Sequence, residues 1–147
     1  MSAAGDSIRT DAAPRPVGLY PHARRVGELL FLSGIGPRDP AGNGIPGNVH
    51  DADGRLIAYD IGLQCRAVFA NVRAVLEASG AGWDDLVDVT VYLTDMARDF
   101  AAYNAAWADA FPDIDRAPCR TTLGITALPT PIAIELKCIA RLARPAE

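Results

Sequence analysis

The chain has 147 residues, half of them hydrophobic and 22% charged, which suits one ordinary globular domain and excludes a disordered tail. Its 14 Lys and Arg against 18 Asp and Glu leave a net charge of −4 with no basic run, so an electrostatic nucleic-acid binder is disfavoured. No apolar stretch approaches the roughly 18–20 residues of a bilayer span, and three cysteines without C-x-x-C spacing (Cys65, Cys119, Cys138) fit reduced thiols in a cytoplasmic protein.

Residues 1–16 are rich in Ala, Asp and Pro, lack the apolar segment of a signal peptide, and read as a flexible lead-in to a single domain over 17–147. The run Leu29-Leu30-Phe31-Leu32 is short enough for a buried strand. From residue 36 to 59 the chain is dominated by Gly, Pro, Asn and Asp and reads as a long loop. The period then changes. Ile61, Cys65, Val68, Val72 and Val75 recur at intervals of four and three, which predicts an amphipathic helix over 61–79, capped by Asp60 and ended by Gly80. Val87, Val89, Val91 and Leu93 alternate with Asp88, Thr90, Tyr92 and Thr94, the period of a strand. A second helix carries Phe100, Tyr103, Asn104, Trp107 and Phe111 on one side, with Asp99 as its expected cap and Pro112 closing it. Two strands follow, 119–127 and 132–141. This order describes an α+β two-layer domain, a sheet with both helices on one face.

The last two strands invite a hairpin reading. If Pro129-Thr130 is the loop, paired numbers sum to 259, and directly opposed residues share a face. Leu123 and Ile125 then join Ile134, Leu136 and Cys138 on one face, leaving Arg120, Thr122, Gly124, Glu135 and Lys137 on the other. Arg120 and Glu135 would stand about 13 Å apart along that ladder, a span that suits a small ligand between a guanidinium and a carboxylate. The same pattern also fits a plain solvated sheet face.

Other motifs carry less. Gly42-x-Gly44-x-x-Gly47 contains Pro46 and lacks the strand–turn–helix context of a dinucleotide fingerprint. Asp51-Ala-Asp53-Gly54 lacks the remaining ligands of a calcium loop. His22 and His50 stand alone, so no metal site is expected. Cys119 could form a nucleophilic pair with a histidine, but a strand cysteine is more often a plain core residue, and that is the expectation here.

Several segments together resemble a known family. Leu30-Phe31-Leu32-Ser33-Gly34, Asn71 to Gly80, Val89 to Asp95, Cys119-Arg120-Thr121-Thr122, Leu128-Pro129 and Ile134-Glu135 are similar to the Rid family, whose members hydrolyse imines and enamines. The resemblance spans nearly all of 18–141. It implies a homotrimer with a chorismate-mutase-like fold and sites in clefts between subunits, no cofactor, and a small carboxylate as substrate. Arg120 would clamp the substrate carboxylate bidentately, and Glu135 would orient the attacking water. Tyr20 would close the pocket, which Ser33 and Gly34 would border. Asn104 matches a helix asparagine of the family, although packing or a structural hydrogen bond explains it equally well. Many members have a cysteine where this chain has Thr122, which removes a thiol nucleophile and favours direct attack by water.

The segment Tyr20-Pro21-His22-Ala23-Arg24-Arg25, the loop bearing Arg38, and the ending Leu128 to Lys137 look most like 2-aminomuconate deaminases of aromatic-compound degradation. That substrate is a dianion, so a second cation is expected, with Arg38 favoured over His22, Arg24 and Arg25 because Pro37 and Pro40 stiffen the chain around it. A general 2-imino acid deaminase and a non-catalytic protein that binds small carboxylates or partner proteins are the competing readings.

Overall fold

The computed structural model describes residues 6–42 and 44–142. In chain order the elements are β1 (Ser7–Ile8), β2 (Ala23–Val26), β3 (Leu29–Leu32), β4 (Val49–His50), β5 (Leu56–Ala58), α1 (Ile61–Ala78), β6 (Leu86–Leu93), α2 (Met96–Ala110), β7 (Cys119–Gly124) and β8 (Ile134–Arg141). Six strands form one sheet in the order β1-β2-β3-β8-β6-β7, and β4-β5 is a separate hairpin. The sheet is mixed, because β6 and β7 run parallel while its other pairings are antiparallel. Both helices contribute to the core cluster with the inner face of the sheet. This is the two-layer α+β arrangement expected from the element order.

Helix α1 forms where the period requires. Asp60 Oδ1 accepts the Leu63 N–H at 3.0 Å, and Gly80 takes the left-handed φ of +79° that ends the helix. Cys65, Val68, Val72 and Val75 are fully buried, and two polar residues, Gln64 and Asn71, are buried beside them. Helix α2 begins a turn earlier than expected. Asp95, not Asp99, is its cap, with its carboxylate accepting the Arg98 N–H at 3.1 Å. Asp99 is instead a buried side chain whose Oδ2 accepts the Tyr59 hydroxyl at 2.6 Å. Burial pushes the Asp99 carboxyl above the usual carboxylate range, and burial first and then the Asp99 hydrogen bond push the Tyr59 hydroxyl up to about 12. The first aromatic of the helix, Phe100, marks where the apolar face starts, and the helix itself starts four residues before it.

The terminal hairpin does not exist. β7 and β8 flank β6, one on each side, so the register summing to 259 is wrong. The chain leaves β7 at Gly124 and enters β8 at Ile134, and that connection crosses over the end of β6. Val89 is aligned with both Arg120 and Cys138, Val91 with Thr122 and Leu136, and Leu93 with Gly124 and Ile134. These residues share the helix-covered face. Tyr92 with Leu123 and Glu135, and Thr90 with Thr121 and Lys137, occupy the other. Leu123, expected in the core, is 44% exposed. Arg120 and Glu135 therefore lie on opposite faces of the sheet, not on one.

Two loop readings also change. The described part of the 1–16 lead-in is tied down: Ser7 and Ile8 pair with Arg24 and Ala23, and Ala13 is buried. The 36–59 loop contains the β4-β5 hairpin, and Gly47 within it has a φ of +83° and packs where a Cβ would come within 2.8 Å of Asp60 Cβ. The third glycine of the false dinucleotide motif thus serves a turn against the start of α1. Cys119 is exposed rather than core, whereas Cys65 and Cys138 are buried with thiols pushed up to about 12 by burial. No helix among the described residues is long and apolar enough to cross a membrane.

Candidate functional site

The expected site residues fall into two groups. The first surrounds Glu135 in a cleft of about 60 Å³ lined by Tyr20, His22, Ser33, Gly34, Arg38, Thr130 and their neighbours. β8 supplies Glu135, and the turn leaving β3 supplies Ser33 and Gly34. The approach is close: a Cβ on Gly34 would stand 2.9 Å from Glu135 Cδ, so only glycine lets this turn lie against the carboxylate. Ser33 is fixed by two bonds, its N–H to the His22 carbonyl at 2.9 Å and its hydroxyl to the Pro21 carbonyl at 2.7 Å. Those bonds place the Tyr20–His22 segment at the cleft wall. Lys137, on the same sheet face as Glu135, donates its ammonium to the Leu32 carbonyl and so is engaged elsewhere.

The candidates for a second cation separate cleanly. His22 is buried with Nδ1 accepting the Thr10 N–H at 3.3 Å and Nε2 lying 2.9 Å from the Pro14 carbonyl. Both ring nitrogens are thus occupied in holding residues 10–14. Arg25 is exposed and donates from Nε to the Gly27 carbonyl, and Arg24 is exposed on β2; neither lines the cleft. Arg38 does line it, half-buried, with Nη2 donating to the Arg15 carbonyl at 2.6 Å.

The second group is built on β7 and α2. Arg120 Nη1 donates to Asn104 Oδ1 at 2.9 Å, and its guanidinium carbon lies 5.2 Å and 5.1 Å from the ring centroids of Tyr103 and Trp107. Thr122 Oγ1 is 3.0 Å from the Tyr103 hydroxyl. Asn104 is thus an orienting residue for the guanidinium, beyond helix packing. Tyr103 and Trp107, placed by the sequence on one side of the helix, are buried and also serve as a platform under Arg120, a role the sequence reading does not include. Its signal was present: positions 103, 104 and 107 share one side of a helix, where a polar residue sits between two aromatics.

Glu135 is the carboxylate of the cleft and its candidate general base. Burial alone pushes its carboxyl above the usual glutamate range. A base must be ionised, so catalysis through Glu135 should fail as pH falls, with its acid limb centred above the ordinary value of 4.5. The linkage sign for stability is opposite. A carboxyl whose folded pKa is raised favours the fold below its unfolded pKa and loses that contribution as pH rises through the folded one. Glu135→Gln should therefore melt higher than wild type at pH 7–8, with the gap closing below about pH 4.5. Parallel melts across that range check it, and a lower Tm for the variant at pH 8 would refute the burial penalty.

A mixed sheet with both helices on one face, a carboxylate cleft against a Ser-Gly turn, and an arginine held on the edge strand define a recognisable class of small α+β proteins. Residues 10–142 match the family described as endoribonuclease L-PSP, and the chain belongs to that family, which includes the RutC and Rid proteins. A RutC family protein of Pyrococcus horikoshii is 37% identical over 133 residues, covering 90% of this chain and 94% of that protein. Reactive Intermediate Deaminase A, chloroplastic, of Arabidopsis thaliana is 33% identical over 135 residues, covering 92% of this chain and 65% of that one. Among solved structures, RidA from an Antarctic Psychrobacter superimposes with a TM-score of 0.78 at 29% identity, covering 92% and 98% of the two chains.

Proposed function

We propose that this protein is a hydrolytic deaminase of enamine and imine acids, with 2-aminomuconate as its substrate and a homotrimer as its working form. The single observation that carries the reading is the division of the site. Arg120, oriented by Asn104, and Glu135, desolvated against Gly34, are each prepared for a chemical task, yet the sheet lies between them. A cleft of about 60 Å³ holds a few waters and is small for a six-carbon diacid. Both facts are accounted for if Arg120 of one subunit completes the Glu135 cleft of the next. The open sheet face, with Leu29 and Leu123 40% and 44% exposed, offers an apolar surface for that association.

The chemistry needs no cofactor. The enamine tautomerises to the imine, whose carbon is electrophilic. Arg120 holds the adjacent carboxylate and fixes that carbon next to Glu135. Glu135 takes a proton from water as the oxygen adds to the imine carbon and passes it to nitrogen, giving the carbinolamine; it then takes the hydroxyl proton as the C=O bond forms and delivers it to nitrogen as the C–N bond breaks. Ammonia leaves and a 2-oxo acid remains. By the family resemblance Thr122 takes the place of a cysteine that many members carry, which leaves no thiol nucleophile at that position and favours attack by water. The ribonuclease in the family description would require a cationic track for phosphates, and a chain of net charge −4 with no basic run offers a poor one.

The test is ammonia release from enzymatically generated 2-aminomuconate, beside simple amino-acid-derived imines. Wild type should exceed buffer on all of them and be fastest on the dicarboxylate. Release matching buffer on every substrate would leave a carboxylate-binding protein; equal acceleration on all would leave a general imine deaminase.

A further inference from the structure

We infer that Gln64 and Asn71 are positioning residues that set the width of the Glu135 cleft, an inference resting on the deaminase reading for its substrate but not for its geometry. They lie seven residues apart, two turns of α1 and about 10.5 Å, on the side otherwise made of Cys65, Val68, Val72 and Val75. Both are buried, Gln64 completely. A buried primary amide destabilises unless its donors and acceptors are met, so its partners show what it is for. Asn71 Nδ2 donates to the carbonyls of Gly36 and Arg38, each at 2.8 Å. Gln64 Oε1 accepts the Ala133 N–H at 2.8 Å, and its Nε2 donates to Asn48 Oδ1 at 2.9 Å. Asn48 in turn donates to the Pro131 carbonyl at 2.9 Å.

These are the two walls of the cleft. Gly36 and Arg38 line the cleft, and so do Thr130 and Ile132, the chain neighbours of the bonded Pro131 and Ala133. The two segments approach closely, since a Cβ on Gly36 would stand 2.7 Å from Ile132 Cδ1. Neither wall is itself a helix, and the 36–38 wall meets the sheet through the isolated Ile35–Leu136 bridge. Referring both walls to one rigid helix fixes the separation of Arg38 from Glu135, and so the length of acid the cleft accepts. An apolar pair at 64 and 71 would fill the core but leave both walls to find their own positions.

Asn71→Leu and Gln64→Met conserve volume and delete the donors; Asn71→Ser is the fallback should the leucine variant fail to fold, since its hydroxyl cannot bridge two carbonyls. The ligands are muconate, a six-carbon dicarboxylate, and sorbate, its monocarboxylate counterpart, titrated against the whole protein. Cooperative melting should persist. Amide exchange should rise about ten-fold or more at Ile35, Gly36, Arg38 and Asp39 in the Asn71 variants and at Ala133 in Gln64→Met. Muconate should bind about ten-fold more weakly while sorbate changes less than about two-fold, and KM for the dicarboxylate should rise without a change in kcat. Unaltered exchange in the walls would overturn the inference, as would equal weakening of both ligands in step with Tm. If wild type releases no ammonia from any imine, the deaminase reading falls by itself, and exchange and titration still decide the positioning role.

Discussion

Arg120→Ala and Glu135→Gln, each nearly inactive alone, should regain activity when refolded together. The single losses are large. Removing a hydrogen-bonded charged clamp costs several kcal/mol, on the order of 10³-fold in kcat/KM, and removing a general base costs about 10²–10⁴-fold. Complementation follows from the sheet. Arg120 aligns with Val89 on the helix-covered face and Glu135 with Tyr92 on the open one, so one chain does not present both to one small molecule. In the closed ring proposed above, each site would take Arg120 from one subunit and Glu135 from its neighbour. After equal mixing, half of the subunits retain Arg120 and half of their neighbours retain Glu135. About one quarter of wild-type activity should return. A mixture as inactive as its parents, in a verified hybrid oligomer, would place the whole site within one chain and sink the shared-cleft reading.

Helix α1 was legible because a burial stripe of period 3.6 needs no knowledge of any partner, and Asp60 and Gly80 mark its ends chemically. Strand β6 was legible for the same reason at period two. The pairing of β7 and β8 was not. Alternation says which residues of a strand share a face, but relating two strands requires knowing that they are neighbours. Here β6 lies between them, one parallel and one antiparallel contact away. The error carried directly into the site, because it put Arg120 and Glu135 on one face. The cap of α2 was misplaced by four residues since Asp95 and Asp99 are both acidic, and only burial separates a cap from a core carboxylate. The roles of Gln64 and Tyr103 depend on what lies across space from them, which spacing along the chain does not encode.

Arg38→Ala should raise KM for a dicarboxylate substrate by about ten-fold or more, the equivalent of a 1.4 kcal/mol contact, and barely change KM for a monocarboxylate imine. Arg120 is assigned to the carboxylate beside the amine, so a diacid leaves a second charge at the far end of the cleft. The cation available there is constrained by the structure. His22 is engaged at both ring nitrogens, and Arg24 and Arg25 lie outside the cleft lining. Arg38 lines the cleft, and its guanidinium has spent one donor on the Arg15 carbonyl, leaving others of its five for a ligand. Its backbone is held by Asn71 and the flanking Pro37 and Pro40, so little ordering cost remains to be met on binding. Loss of the Arg15 contact could loosen residues 10–16, and that effect is separable. Thr10→Pro removes the N–H donated to His22 and disturbs the same arm without touching Arg38; it should affect both substrates alike. Arg38→Lys retains charge but not the fork and should fall between alanine and wild type on the dicarboxylate. Equal effects of Arg38→Ala on both substrates, or none on either, would remove Arg38 from substrate contact and count against the proposed dicarboxylate substrate.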